Sequence, residues 1–372
     1  MPELDQERQR IAKEYARLGR RLLVVNMVLT FAFLVAAVVV KPVRLIDAWL
    51  GPGANYLVTV GVYFLLLVVA YGLLTLPMSY YRGYVLPHRF DLSTQTFGAW
   101  VKDTAKGGGL SLALGLAMVE VLYLLLQNFP TSWWLIAAAF MLVFSVLMTN
   151  LAPILILPLF YRLQPLADVE LARRLEDLAA RAGARVRGVY VMDMSRRTKA
   201  ANAALMGLGN TRRIVLGDTL LDDYSPDEIE VVLAHELGHH AHNDIVKSIA
   251  LETVTALVSL WLANLVLVWS ISALGLAGIA DPAGLPLFGL VMGAVGFLEM
   301  PLTNGFSRAL ETDADRYALQ MTGKVDAFVA AMTRLANQNL SVAFPPRWVE
   351  VLLYDHPAIG RRLNLASTFA RS

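Results

Sequence analysis

Between Lys106 and Arg162 the sequence reads GGGLSLALGLAMVEVLYLLLQNFPTSWWLIAAAFMLVFSVLMTNLAPILILPLFY (107–161), and Glu120 is its only charge. A bilayer core of about 30 Å requires roughly 20 apolar residues in helix. The stretch holds two such runs, about 108–127 and 133–157, divided at Asn128-Phe129-Pro130-Thr131-Ser132. A break of that composition is a turn. The reading is therefore a transmembrane hairpin, and the rest of the chain has to be organised around a membrane.

Four further runs fit the same description: about Leu22–Val40, Tyr56–Pro77, 253–274 and 285–306, the last two separated by Asp281-Pro282-Ala283-Gly284. The first is longer than a signal-peptide core and lacks a small-residue cleavage site, so it is expected to be retained. Composition agrees with this. Charged residues are 17% of the chain, against about 25% in soluble domains, and 56% are hydrophobic. A soluble enzyme, a disordered chain and a disulfide scaffold are excluded, and with no cysteine there is no thiol chemistry. Six spans put both termini on one side. Nearly all Lys and Arg lie in 1–21, 81–106, 162–252 and 307–372, whereas 41–55, 128–132 and 275–284 hold only Lys41 and Arg44. Basic segments stay inside, so the termini and the polar segments are expected to be cytoplasmic. A net charge of +2 argues against nucleic acid as a partner.

The polar block at 161–252 carries the chemistry. Ala167 to Ala182 has helical spacing with Gly183 as a stop, Arg187–Met192 reads as a strand, and Asn202–Leu208, Gly209-Asn210 and Arg212–Leu216 read as a β-hairpin. Ser225-Pro226-Asp227-Glu228 is a capping box with Pro at the first helical position. The helix it opens contains His235-Glu236-Leu237-Gly238-His239. Residues four apart share a helix face, so two imidazoles can converge on one Zn²⁺ while Glu236 reaches a water there as general base. A catalytic zinc site needs a third protein ligand and an open position. Glu311, in Ser307-Arg308-Ala309-Leu310-Glu311-Thr312-Asp313-Ala314-Asp315, is the candidate, because the intervening membrane hairpin returns the chain to the same bilayer surface. Asp315, one turn on, can accept from a ligating imidazole.

Together these residues resemble the integral-membrane zinc proteases of the CAAX prenyl protease type 1 family, with the HtpX-type proteases as more distant relatives. The resemblance rests on His88-Arg89-Phe90, Gln95-Thr96-Phe97-Gly98, Lys102-Asp103, Asn202-Ala203, the HExxH motif, the run ending at Asp315, and His356-Pro357 with Arg362. It implies one zinc ion on His235, His239 and Glu311, with Glu236 as base. It also implies an edge strand at Asn202 and Ala203 for the substrate backbone, and His356 and Arg362 at the substrate or transition state. The expected fold is a mainly α polytopic membrane protein of about six spans with a small cytoplasmic α+β, zincin-like catalytic part. The expected organisation is a cytoplasmic segment 1–21, four spans in 22–160 with a loop at 81–106, a catalytic segment 161–252, a hairpin 253–306 and a catalytic C-terminal segment 307–372. The substrate would be a peptide or membrane protein, lipidated or not. Members of the family have three spans before the His-Arg-Phe segment where this chain has two, and a second Pro where this chain has Ala358.

An HtpX-like quality-control protease and a membrane scaffold with a relic site are the competing readings. His240 and His242 lie on other faces of the motif helix and are expected to be solvated or capping, and His88 to position its loop. Glu120 and Glu299 lie within spans, where a carboxylate lines a cavity or is paired.

Overall fold

The computed structural model describes residues 3–51, 53–207 and 212–371. Each of the six apolar runs lies in a helix long and apolar enough to cross a bilayer, and in each the helix overshoots the run. Helix α1 (Gln6–Val40) starts on Asp5, whose carboxylate accepts from the N–H groups of Glu7 and Arg8. A left-handed Lys41 and the short α2 (Val43–Leu50) lead to α3 (Tyr56–Tyr80), which runs on through a π-turn into α4 (Leu86–Arg89). Helices α5 (Phe97–Asn128) and α6 (Trp133–Leu151) form the hairpin read from 107–161. After α6, a π-turn at Ala152–Ile156 contains Pro153, which has no N–H to donate, and α7 (Leu157–Phe160) follows.

Between the fourth and fifth spans lie β1 (Leu163–Pro165), α8 (Val169–Arg181), β2 (Val189–Met192), β3 (Ala203–Met206), β4 (Arg213–Gly217), α9 (Asp218–Asp223) and α10 (Pro226–Ala241). The strands form one sheet in the order β1-β2-β4-β3, with β2 and β4 parallel and the other pairs antiparallel. The hairpin is β3 against β4, with Ala203 opposite Leu216; its turn residues Gly209 and Asn210 lie outside the described residues. Strand β1 was not foreseen, since three residues with a Pro carry no periodic signal.

The capping box is present. Ser225 Oγ accepts from the N–H of Glu228, and the Glu228 carboxylate accepts from the N–H of Ser225 at 2.7 Å. Below it, Ile229, Leu233, Ala234 and Leu237 pack α10 into a core shared with Leu175 and Leu178 of α8 and Leu216 of β4. Burial of that many aliphatic side chains, at about 1.5–3 kcal/mol each, holds α10 on the sheet.

Helix α11 (Asp244–Leu274) and α12 (Leu285–Thr322) form the second membrane hairpin, and neither is interrupted at 252/253 or at 306/307. With 38 residues, α12 is about 57 Å long at 1.5 Å per residue, nearly twice the hydrocarbon thickness. Beyond the apolar run its buried face is Glu311, Ala314, Asp315, Ala318 and Leu319, and the helix stops at the left-handed Gly323. Helices α13 (Val325–Gln338), α14 (Arg347–Leu353) and α15 (Ile359–Phe369) complete the catalytic part.

Inside the membrane layer, Glu299 accepts from Ser259 Oγ at 3.1 Å, and Glu120 packs against Gly61 of the facing helix with Oε2 buried and unpartnered. The His88 ring lies between the carbonyls of Tyr84 and Gln95, while Asp103 accepts from Arg197 and Gln95. The segment 81–106, expected as a loop, is mostly helical, with only 90–96 between α4 and α5, and Asp103 fastens it to Arg197.

Candidate active site

Two helices meet at one glycine. A Cβ on Gly238 would stand 3.0 Å from Ala314 Cα and 3.2 Å from Tyr317 Cβ, so only Gly lets α10 and α12 approach this closely. The approach brings His235 and His239, one turn apart on α10, against Glu311, one turn before Ala314 on α12. His235 Nε2 is 3.1 Å from Glu311 Oε2, and His239 Nε2 is 3.3 Å from Glu311 Oε1.

Each imidazole is held from behind. His235 Nδ1 lies 2.9 Å from Asp315 Oδ1, and His239 Nδ1 lies 2.9 Å from Asp244 Oδ2. An Nδ1–H donating to a carboxylate fixes the tautomer, leaving the Nε2 lone pair free for a metal. Asp244 is in place because Asn243 adopts a left-handed conformation (φ 56°), which ends α10 and turns the first residue of α11 back toward the motif; Asn tolerates that conformation better than most residues. Lys247 neutralises Asp244 from the outer side at 2.8 Å. Arg362, expected at the substrate or transition state, is buried behind His235, donating Nε–H to Asp315 Oδ2 at 2.8 Å and Nη2–H to Oδ1 at 2.6 Å.

The donor set fits a divalent metal. Among the described residues, His235, His239 and Glu311 offer ligand atoms that all lie within 4.8 Å of one another. Glu311 Oε2 is buried and makes no hydrogen bond of good geometry despite its 3.1 Å approach to His235, so a buried acceptor is left for an ion. Ligands at about 2.0–2.1 Å in a tetrahedron are about 3.3 Å apart, which the two observed separations match. Without an ion, burial opposes charge on both rings, but the carboxylates of Asp315 and Glu311 beside His235 outweigh it and lift its pKa to about 9; Glu311 and Asp244 raise that of His239 likewise.

Beside the His235, His239 and Glu311 group, burial pushes the Glu236 carboxyl up, and the hydrogen bond that His356 donates to Asp355 pushes His356 up. His356 Nδ1 is 2.9 Å from Asp355, and its Nε2 is 3.2 Å from Glu311 Oε1. Glu236, His239, His240 and Glu311 line a cavity of about 430 Å³, together with Leu205 and Glu252. The cavity thus reaches from β3 to the membrane helices. His240, expected to be solvated or capping, lines this wall, and burial lowers its pKa. His242 packs edge-on against Tyr317.

Strand β3 is an edge of the sheet. Asn202 C=O accepts from the N–H of Gly217 at 2.8 Å, so Asn202 pairs inward. By antiparallel alternation the amides and carbonyls of Ala203 and Leu205 then face outward, away from β4.

A multi-span membrane protein whose extramembrane α+β part holds a His-Glu-x-x-His on one helix and a buried Glu on another is a membrane-embedded metallopeptidase. Comparison with known proteins carries this further. Residues 165–370 match the model of peptidase family M48, and residues 1–162 match that of the CAAX prenyl protease N-terminal region, described as five membrane helices. The chain belongs to peptidase family M48. Among the described residues, four helices long enough to span lie in that N-terminal region, and the short α2 lies between the first two. A Bacillus subtilis protein named uncharacterized metalloprotease YhfN is 29% identical over 362 residues, covering 96% of this chain and 84% of that one. CAAX prenyl protease 1 of Saccharomyces cerevisiae is 31% identical over 310 residues, with 78% and 68% covered. The crystal structure of S. mikatae Ste24p superposes with a TM-score of 0.87 at 26% identity, covering 98% of this chain and 91% of that one. The protein is therefore a metalloprotease with an intramembrane scaffold, as the sequence led one to expect.

Proposed function

We propose that the metal is a single zinc ion held by His235, His239 and Glu311, and that the protein hydrolyses peptide bonds at the cytoplasmic membrane face. The observation that carries this is the pair of carboxylates, Asp315 and Asp244, that tie down both Nδ1 atoms and turn both Nε2 atoms toward Glu311. In such a site zinc acidifies water and polarises the scissile carbonyl. Glu236, its carboxyl made more basic by burial, takes the proton of the attacking water and delivers it to the leaving amine as the C–N bond breaks. His356, oriented by the hydrogen bond its Nδ1 makes to Asp355, donates from Nε2 to the oxygen on which charge develops. Arg362 and Asp315 act as positioning residues through His235.

An extended peptide adds to the outer edge of β3 through Ala203, with the Asn202 side chain contributing one further hydrogen bond. The Lys/Arg asymmetry supports the cytoplasmic orientation of the site and both termini. The relatives named CAAX prenyl protease 1, in yeast and rice, support a CAAX prenyl substrate. The balanced charge supports the absence of a nucleic-acid partner. The test is Glu236→Gln in the purified full chain, with metal content and cleavage of a CAAX-type peptide measured together. One zinc per chain with turnover almost abolished is expected; undiminished turnover would reassign the base.

A further inference from the structure

Before it enters the membrane, α1 is amphipathic. Ile11, Ala12, Tyr15, Ala16 and Leu18 pack against Leu86, Phe90 and Leu340. Arg10, Lys13, Arg17 and Arg20 recur at helical spacing on the opposite side, where together with Glu14 they form one wall of a groove of about 800 Å³. The other wall is the segment 342–346, including Phe344 and Pro345.

The groove is preformed. The Gln9 side chain donates to the carbonyl of Ser341 at 3.0 Å and accepts from the N–H of Ala343 at 2.9 Å, which fastens the two walls together. On its far side the Phe344 ring lies over Gly360, where any Cβ would collide with it, and Gly360 N–H donates to the Ala343 carbonyl at 2.9 Å. Its cations are largely uncompensated. Arg10 pairs with Glu7, and Glu14 is engaged by Arg89, but Lys13, Arg17 and Arg20 form no ion pair among the described residues.

Position decides what such a groove meets. Helix α1 continues without a break into the apolar run from Leu22, so Arg20 stands where the apolar run begins, and Arg10 is about 15 Å above it. Arg17 and Lys13 lie within about one Debye length of the membrane surface. Phe344 and Trp348 are 66% and 59% exposed, and aromatic side chains of this kind are enriched at the membrane–water interface.

We propose that the groove between α1 and segment 342–346 binds the phosphate headgroup of an anionic phospholipid from the leaflet adjoining the catalytic part. The guanidinium and ammonium groups of Arg17, Arg20 and Lys13 hold the phosphate, and Phe344 covers the glycerol end. The lipid thereby seats the catalytic part on the bilayer through two elements that lead to the site: α1, which packs on α12, and the segment that continues through α14 to His356.

The experiment compares the full chain in nanodiscs of phosphatidylcholine with and without phosphatidylglycerol, counting retained anionic lipid by native mass spectrometry after detergent release. Neutralising each basic residue near the surface weakens such binding by about fivefold. Lys13→Gln with Arg17→Gln is therefore expected to weaken retention by about 25-fold, while Arg173→Gln on the distant α8 leaves it at the wild-type level. Added inorganic phosphate is expected to displace no lipid. Equal retention by wild type and the double variant would overturn the proposal, as would loss on Arg173→Gln as large as in the double variant. Displacement of the lipid by millimolar phosphate would make this a site for free phosphate and overturn it too. Phe344→Ala, which removes no charge, is a second variant and is expected to retain the phosphatidylglycerol preference at reduced occupancy.

Discussion

Gly238→Ala tests whether the close crossing of α10 and α12 sets the metal site. The added methyl would lie 3.0 Å from Ala314 Cα and 3.3 Å from Ala314 Cβ, whereas carbon atoms sit at about 3.5–4.0 Å. The opposing atom is backbone in a helix and cannot rotate away. The helices must part by about half an ångström, and Glu311, one turn from Ala314, moves with α12. Metal–ligand distances tolerate about 0.2 Å, so the site is disturbed beyond its tolerance. Loss of metal affinity in the range of 10–100-fold is expected, the size seen when the support of a ligand is damaged.

Stability receives two opposing contributions in this variant. Overpacking costs about 1–3 kcal/mol, and replacing Gly by Ala in a helix recovers about 0.8–1.0 kcal/mol, leaving a net loss of up to about 2 kcal/mol. Gly19→Ala in α1, where nothing lies within 4 Å of the added Cβ, receives the gain without the cost. The assay is chelator competition for bound zinc and apparent melting temperature in detergent for both variants. Wild-type zinc affinity in Gly238→Ala, together with a gain in stability like that of Gly19→Ala, would refute the reasoning.

Because His235 in the metal-free protein has a pKa of about 9 and must be neutral to ligate, zinc uptake at pH 7 should release a proton into weak buffer, and affinity should rise with pH until about 9. By the same linkage, the raised pKa stabilises the metal-free fold fully below about 6.5 and is lost as pH rises through about 9; an apparent melting temperature that climbs over this window would contradict it. Asp244→Asn should weaken zinc binding by about 10–100-fold with little loss of fold, since Lys247 is half exposed. Asp315→Asn leaves the buried Arg362 uncompensated and should cost about 3–5 kcal/mol, so equal melting temperatures of the two variants would count against these roles. Ala203→Pro removes an outward-facing N–H and no bond to β4, so peptide cleavage should fall while zinc is retained; wild-type rates would exclude pairing at that edge.

The spans were legible because 20 apolar residues have few alternatives, and the convergence of His235 and His239 because a capped helix leaves the HExxH spacing one geometry. The length of α12 was not legible from hydropathy. Its apolar run ends near Phe306, but nothing breaks the helix before Gly323, and that continuation places Glu311. Asp244 escaped notice for a different reason. Its function depends on the left-handed Asn243, and the signal available in the sequence was an Asn-Asp pair following the motif. Arg362 could be placed near the site but not behind His235, since nothing in the chain between α12 and α15 specifies which side of the ring it approaches. These cases share a cause: each residue is positioned by the membrane hairpin or by what packs on it. Glu311 and the carboxylate behind His239 are carried on α12 and α11, the two arms of that hairpin, whereas both imidazoles are carried on α10. A tilt of the hairpin relative to the sheet would therefore move Glu311 and Asp244 together against His235 and His239. The glycine contact at Gly238 restrains that tilt, which couples the geometry of the metal site to the packing of the spans below it.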